Sequence, residues 1–541
     1  MGAAIGREFS YALLSVVAER PTPSLDSALE QLEAAELIFR SGTPPQSRYR
    51  FKHALVRDAA YESLLKSRRQ ILHRRIAEAL RDQFSAIATT EPEVIAQHFA
   101  EAGLTEHAID WWTTAGEQAS RRSAYTEAAA HYRDAIALAD LLPDEPATRH
   151  RLIRLYVAYG DTLHNSRSPG ALETTAAFTR ARELAAGIAD VAERYPLYLG
   201  LWTSSVVRAD VASMRKLASS LLDDVEHRHD PAELGLARRF TGVLNWMVGD
   251  PMRGRPHLEA AVAAYETAPD HRFDLKLDLH PGVPVMLQLA LTLWLLGEAT
   301  RAQELATKAL ALAVESGHVP TVVYGYTWKG TLDILRGDNA ATIECAEAIS
   351  RLGREHDLPF WLAIAAFFKD WARWQAGEPN VGLVTMQQSL EFFIEHGLTL
   401  YSLLFRTLFA APQAAMSEIE AGLATLNENL VDMNSTGLRW LEAETHRQRA
   451  ELHMSRGTVG VVDAEQDYQR AIDIARDQRI KSFELRAALG LARLYFVTGR
   501  APAGQALLRP LLVAFSNESG LPEVDSARRL LDSAMVMRDA N

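Results

Sequence analysis

Turn phrases recur at a fixed interval along this chain. LGE at Leu296–Glu298, RGD at Arg336–Asp338 and AGE at Ala376–Glu378 lie forty residues apart. ESGHVP from Glu315, EHDLPF from Glu355 and EHGLTL from Glu395 keep the same forty-residue interval. Such a period restricts the fold to stacked copies of one small unit, because each unit leaves an apolar face that only its neighbour can cover. Each unit reads as helix, glycine turn, helix, then a glycine or proline turn, with apolar residues at three-and-four spacing.

The clearest unit is WWTTAGEQASRRSAYTEAAAHYRDAIALADLLP, in which Trp112, Gly116, Ala128, Tyr132 and Ala135 fall at tetratricopeptide (TPR) offsets. Two antiparallel helices approach closely only where one presents Gly or Ala, and an aromatic fills the wedge between neighbouring pairs. Gly116 in register gives Gly160, Gly200, Gly242, Ala290, Gly330, Asp370, Ala410, Ala450 and Gly490. The gaps are 44, 40, 42, 48 and then 40 throughout, and nine of the ten residues are Gly or Ala. The expected fold class is therefore all-α. It is a TPR-like right-handed superhelical solenoid of about ten helical hairpins, from roughly residue 93 onward, behind a small N-terminal winged-helix domain. The expected domains are residues 1–82 and 83–541. A solenoid of this kind offers a concave face to a protein, peptide or small-ligand effector instead of one reactive pocket.

The first eighty residues differ. REFSYALLSVVAE and LDSALEQLEAAE read as amphipathic helices. ELIFR and RYRFK are short and β-prone, and SGTPPQS between them reads as a hairpin tip. The next helix starts near His53, which completes a winged-helix order. From Arg40 to Arg81, eleven Lys and Arg face Asp58, Glu62 and Glu78, a net of +8 within a chain of −12, leaving −20 elsewhere. A DNA reader would carry positive charge on the helix before the wing. That helix instead carries Asp26, Glu30 and Glu33, and an acidic face repels phosphate. The basic surface therefore suits an acidic partner domain, and nucleic acid is not the expected partner.

With 48% apolar and 23% charged residues the chain can bury sizeable cores. Its one cysteine, Cys345 in TIECAEAI, permits no internal disulfide and reads as a packing thiol in a reducing compartment. The apolar run VMLQLALTLWLLG spans thirteen residues and contains Gln288 and Thr292, too short and polar for a membrane span. No secretory signal or myristoylation pattern opens the chain, so a cytoplasmic protein with no membrane partner is expected.

Motifs for chemistry do not emerge. No GxxxxGK followed by Ser or Thr occurs, so no Walker A loop cradles a triphosphate. There is no HExxH and no CxxC. HRHD, His227 to Asp230, precedes a helix start in DPAE, which places its histidines in a loop and not in a metal site. His73, His98, His107 and His131 sit at helical positions and read as packing or surface residues. HRFDLKLDLHPGVP reads as an inserted loop. No catalytic residue, metal ligand or cofactor is expected within this chain.

Several long phrases carry a resemblance. GREFSYALLSVVAE, YRFKHALVRDAAYESLLKSRRQILHRRIAEAL, AQHFAEAGLTEHAIDWWTTAG and IDIARDQRIKSFELRAALGLARL resemble the C-terminal half of bacterial cyclase-linked STAND-type ATPases. HLEAAVAAY and HPGVPVMLQLALTLWLLG extend the likeness over nearly the whole chain, while AFSNESGLPEVDSARRLLD departs from the family's ending. In that family a class III adenylate/guanylate cyclase domain and a P-loop ATPase usually precede a winged helix and a TPR array. The resemblance implies a non-catalytic sensor and protein-interaction arm in signal transduction, with the ATPase/cyclase module in cis or in trans and ATP or ADP bound only there. It implies that this chain is either a truncated reading frame or the partner of a separate engine. In FKHALVRDA it implies that His53 reaches ADP phosphates and latches the off state, with Ala54 where many relatives have Asp. The alternative for His53 is capping its own helix or packing on the wing. Two other functions are weighed against this one: a winged-helix DNA-binding transcriptional regulator with a TPR sensing domain, and an enzyme in its own right.

Overall fold

The computed structural model describes the backbone of residues 1–541 except 19–20, 187, 189–192, 229–230, 268–278, 379–381, 416–418, 516–520 and 540–541, and leaves aside the side chains of 226–228, 231–232 and 533–539. His229, Asp230 and most of HRFDLKLDLHPGVP thus lie outside the described residues, while the backbone of His227 continues a helix that ends at Arg228 and is not in the loop expected for it. The fold is all-helical with few strands, 81% helix. It opens with α1 (Gly2–Ile5), β1 (Glu8–Ser10), α2 (Tyr11–Val17), α3 (Thr22–Ala34), β2 (Ile38–Ser41), β3 (Arg48–Phe51), α4 (Ala54–Glu62), α5 (Lys66–Gln83), α6 (Ser85–Thr90) and α7 (Pro92–Glu101). Hairpins follow as α8 (Thr105–Arg121), α9 (Tyr125–Ala139), α10 (Pro146–Ser166), α11 (Leu172–Ala185), α12 (Arg194–Val207), α13 (Val211–Arg228), α14 (Pro231–Met247), α15 (Pro251–Thr267), α16 (Gly282–Leu295) and α17 (Ala299–Ser316). The array continues as α18 (Val319–Arg336), α19 (Asn339–Glu355), α20 (Pro359–Gln375), α21 (Leu383–Glu395), α22 (Thr399–Ala415) and α23 (Ile419–Thr436). It closes with α24 (Glu442–Met454), α25 (Val461–Asp477), α26 (Lys481–Val497), α27 (Ala501–Ala514) and α28 (Pro522–Asp539). Two compact units result, Met1–Thr162 with Arg180–Val191, and Leu163–Thr179 with Ala192–Asn541.

In the first unit the segment from Arg7 does not form the single helix expected of it. Glu8–Ser10 pairs antiparallel with β3 in a sheet of order β1-β3-β2. Phe9 alternates inward and stacks on Tyr49 at 5.7 Å, so a two-residue period holds this short stretch. The helix starts only where Ser10 Oγ accepts the Leu13 N–H at 3.1 Å. The expected hairpin does form, with Ile38 opposite Phe51 and Ser41 opposite Arg48. Leu72, Ile76 and Leu80 of α5 share a core with Ile95 and Phe99 of α7 and Ala108 of α8.

Helices α8 and α9 pack as a hairpin in the first unit, and eight more hairpins, α12–α13 to α26–α27, pack in the second, most with a small residue at the crossing. A Cβ on Gly116 would lie 2.8 Å from the Tyr132 ring, one on Gly330 3.2 Å from Cys345 Cβ, and one on Gly490 2.3 Å from Tyr468. Asp370 breaks the small-residue register, and its position explains why. A Cβ on Gly382 would sit 2.1 Å from the Asp370 carboxyl carbon, so there the opposing backbone supplies the glycine, at φ +71°.

In the second unit the even-numbered helices from α14 onward pack side by side with one another, while the odd-numbered ones spread apart. The even-numbered helices are therefore the tighter, inner layer. That layer meets itself five hairpins later. Trp246 of α14 packs edge-on against Trp440, just before α24, at 5.2 Å. Met247 O accepts the N–H groups of Arg439 (2.9 Å) and Trp440 (3.2 Å). The end of α16 meets α26 in the same way. Ser482 Oγ donates to Leu295 O at 3.3 Å, 187 residues away, and Trp294 packs edge-on against Phe483 at 5.5 Å. Leu398, before α22, likewise covers Gly170. All fourteen residues of α16 are buried in consequence, as its apolar circumference requires. The inner layer is thus met by a later turn of the array at these places, which the repeat pattern alone did not suggest.

Candidate functional site

One surface that combines exposed apolar side chains with cations unpaired among the described residues lies on α4 and the start of α5. Helix α4 has no buried residue. Leu55 is 80% exposed and Leu65 78%, with Ile71 also exposed. Arg50, Lys66 and Arg68 are exposed. Among the described residues these three have no carboxylate partner, whereas Arg40 pairs with Glu33, Lys52 with Glu36 and Arg74 with Glu78. Apolar anchors rimmed by uncommitted cations are the make-up of a partner-binding face, not of a solvated helix. Leu55 and Leu65 were overlooked in the sequence because a charged helix hides two apolar residues that point outward.

His53 stands at the N-cap of α4 with φ −133° and ψ 144°. Its ring makes no cap hydrogen bond and is exposed, so it neither caps its own helix nor packs on the hairpin. An imidazole at a helix N-terminus, beside free backbone N–H groups, suits an anionic group brought by a partner. The acidic residues of α3 are in part engaged internally. Asp26 Oδ1 accepts the Tyr11 hydroxyl at 2.7 Å, and Glu33 pairs with Arg40 at 3.3 Å.

Of the helical histidines His107 is exposed and His131 half-buried, while His73 and His98 are buried and meet. Tyr61 Oη lies 2.8 Å from His73 Nε2, and His73 Nδ1 lies 2.8 Å from His98 Nδ1. One hydrogen lies between the two rings, so the accepting ring is neutral, and burial lowers both histidines and favours the neutral form of each. Burial, and then the neighbouring His73, pulls His98 down to about 4. In the unfolded chain it titrates near its usual 6.5. Its contribution to stability is therefore complete above pH 6.5 and is lost as pH falls towards 4, by about 3 kcal/mol. Thermal melts between pH 7.5 and 4.5 should show this fall, and His98→Asn should make it shallower, the rest coming from His164 and His318, which burial also lowers to about 4. An equal fall in the variant would show that His98 does not carry it. His107 lies over Phe99 at 5.1 Å and His131 on Trp112 at 5.4 Å.

Reactive chemistry is not assembled elsewhere among the described residues. Cys345 is buried, and burial with Asp333 beside it pushes the thiol up to about 12. A cleft of about 500 Å³ between α23, α24 and α25 is lined by Arg449, His453, Arg456, Asp463 and Asp467 among others. Its charges are engaged with each other. Burial alone would raise the Asp467 carboxyl, but His446 at 3.2 Å and the Arg449 guanidinium hold it below its usual range. No group of three His, Cys, Asp or Glu that could hold a metal occurs among the described residues. No described helix is long and apolar enough to cross a membrane.

No family model matches the chain. An uncharacterized protein of Rhizobium meliloti (strain 1021) is 22% identical over 480 residues, 88% of this chain and 46% of its own length. The chain thus spans about half the length of that curated relative. Among solved structures, an APC/C hetero-tetramer of Cut9 and Hcn1 superposes with a TM-score of 0.45 at 12% identity, covering 96% of this chain and 98% of that one. A Rap protein complexed with Competence and Sporulation Factor gives 0.41 at 7% identity, covering 79% and 99%. A Signal Transduction ATPase with Numerous Domains (STAND) protein with a tetratricopeptide repeat sensor, from Pyrococcus horikoshii, gives 0.35 at 12% identity, covering 95% and 61%.

Proposed function

We propose that this chain is the regulatory and protein-interaction arm of a cyclase-linked STAND-type signalling ATPase. In this reading the N-terminal elements are a winged helix and the hairpins a TPR-like sensor. The supporting observation is the face of α4 and α5, where Leu55 and Leu65 stand exposed among Arg50, Lys66 and Arg68 with no carboxylate partner among the described residues. That face docks an acidic nucleotide-binding module, supplied in cis or in trans, and the uncapped His53 meets the phosphates of its ADP. An effector on the hairpins shifts the balance between latched and open states by its difference in affinity for the two. The chain itself supplies no catalytic step.

The test is titration of the intact chain with the ADP-loaded ATPase domain of a cyclase-linked relative. Leu55→Asp with Leu65→Asp should weaken docking by about tenfold or more, the scale of losing interface anchors. His53→Ala should leave docking intact and speed ADP release from the complex. Docking that ignores the leucine pair, or ADP release that ignores His53, would contradict the reading. Salt-dependent duplex DNA binding by the intact chain without capture of the ATPase domain would favour a transcriptional regulator instead.

A further inference from the structure

Two cations are buried among the described residues, Lys329 and Arg239. Lys329 has the Asp333 carboxylate at 2.6 Å. Arg239, on α14 and 7% exposed, has no carboxylate among the described residues. Its Nε donates instead to Gln288 Oε1 of α16 at 3.0 Å, and the Gln288 amide donates to the Tyr324 hydroxyl of α18 at 3.2 Å. Each link passes a hydrogen in the same direction across three successive inner helices. The relay ends on the Tyr324 O–H, which has no acceptor among the described residues.

Aromatic walls adjoin this relay. Trp328 lies 6.1 Å from Tyr324, and Trp246 lies 6.5 Å from Trp328, ring centre to ring centre. The buried indole N–H groups of both tryptophans have no acceptor among the described residues. The cluster holds a surplus of donors and one uncompensated positive charge, both costly in a buried setting. Tyr324 is half-buried, the most exposed of the three residues in the relay.

We propose that this cluster is a binding site for a carboxylate with a flat, aromatic body. The carboxylate would accept from the guanidinium of Arg239 and from the Tyr324 hydroxyl, with its single negative charge matching the single positive one. The body would lie beside Tyr324, against the edge of Trp328. A phosphate suits the site less well, because its second charge would find no second cation there. This inference rests on the sensor reading of the hairpins and names the effector's chemistry. The site does not depend on docking of α4, so the two fail separately. Loss of carboxylate binding with docking intact would leave the proposed function standing, and the reverse result would leave the site standing.

The experiment is calorimetric titration and thermal melting of the full chain with sodium indole-3-acetate, against indole-3-acetamide. A short peptide ending in tryptophan is tested as free acid and as amide. The acids should bind and raise the melting temperature, and the amides should not. Arg239→Gln should weaken the acid by at least about tenfold while leaving the ligand-free chain as stable or more so. Tyr324→Phe should weaken it less. Binding by the peptide acid alone would uphold the site and assign it to a chain terminus. The proposal is overturned if no acid binds, if acid and amide bind alike, or if Arg239→Gln melts well below wild type without ligand and binds acid as before.

Discussion

Trp440→Ala is expected to destabilise the second compact unit by about 3–5 kcal/mol, the range for truncating a large buried aromatic. Trp440 is 1% exposed and stands where one turn of the array meets the next. Its ring packs edge-on against Trp246, and its backbone N–H donates to Met247 O. Truncation opens a cavity against Trp246, itself buried, and loosens the backbone bond beside it. In an open array the same residue would touch only its sequence neighbours and its loss would be milder, because repeat stability is a sum of near-neighbour contacts. Denaturant unfolding of Trp440→Ala against wild type measures the difference, with Val459→Ala, at an exposed site, as the control. A loss under about 1 kcal/mol would mean that the two turns do not bear on each other.

Asp333→Ala should cost as much, for a different reason. Asp333 is fully buried between Lys329 and Arg336 on one helix, and Lys329 has little exposure of its own. Burial outweighs the attraction of Lys329, so the Asp333 carboxyl sits above its usual range. The intact ion pair therefore adds little net stability. Removing one partner strands a buried ammonium, at about 3–5 kcal/mol. Replacing both, as Lys329→Met with Asp333→Leu, should recover most of that loss. A double variant as unstable as Asp333→Ala would show that the pair does more than cancel its own charges.

The hairpins were legible because one local constraint, a small residue at each crossing, repeats along the sequence. Gly116, Gly330 and Gly490 all proved to lie under a neighbouring side chain. Asp370 looked like an exception only because its compensating glycine, Gly382, sits on the next helix. The closing of the inner layer was not legible. It follows from small rotations accumulated over five hairpins and joins residues as far apart as Leu295 and Ser482, with no local pattern to announce it. Strand β1 was hidden because Phe9 fits a helical stripe as well as a strand, and only β3 decides between them. His53 could be placed at a helix start from sequence. That it is uncapped, and that Leu55 and Leu65 face outward beside it, depended on how α5 packs on α7. Arg239 gave no sign either, since its lack of a carboxylate is a fact about three helices at once.

Hydrogen exchange at the Arg439 and Trp440 amides tests the closed array most directly. Both N–H groups reach Met247 O, nearly two hundred residues earlier in the chain. If successive turns meet, both should be protected to the level of the flanking helices α23 and α24, and Trp440→Ala should speed their exchange. Exchange at the rate of an exposed turn, in the wild-type chain, would contradict the account.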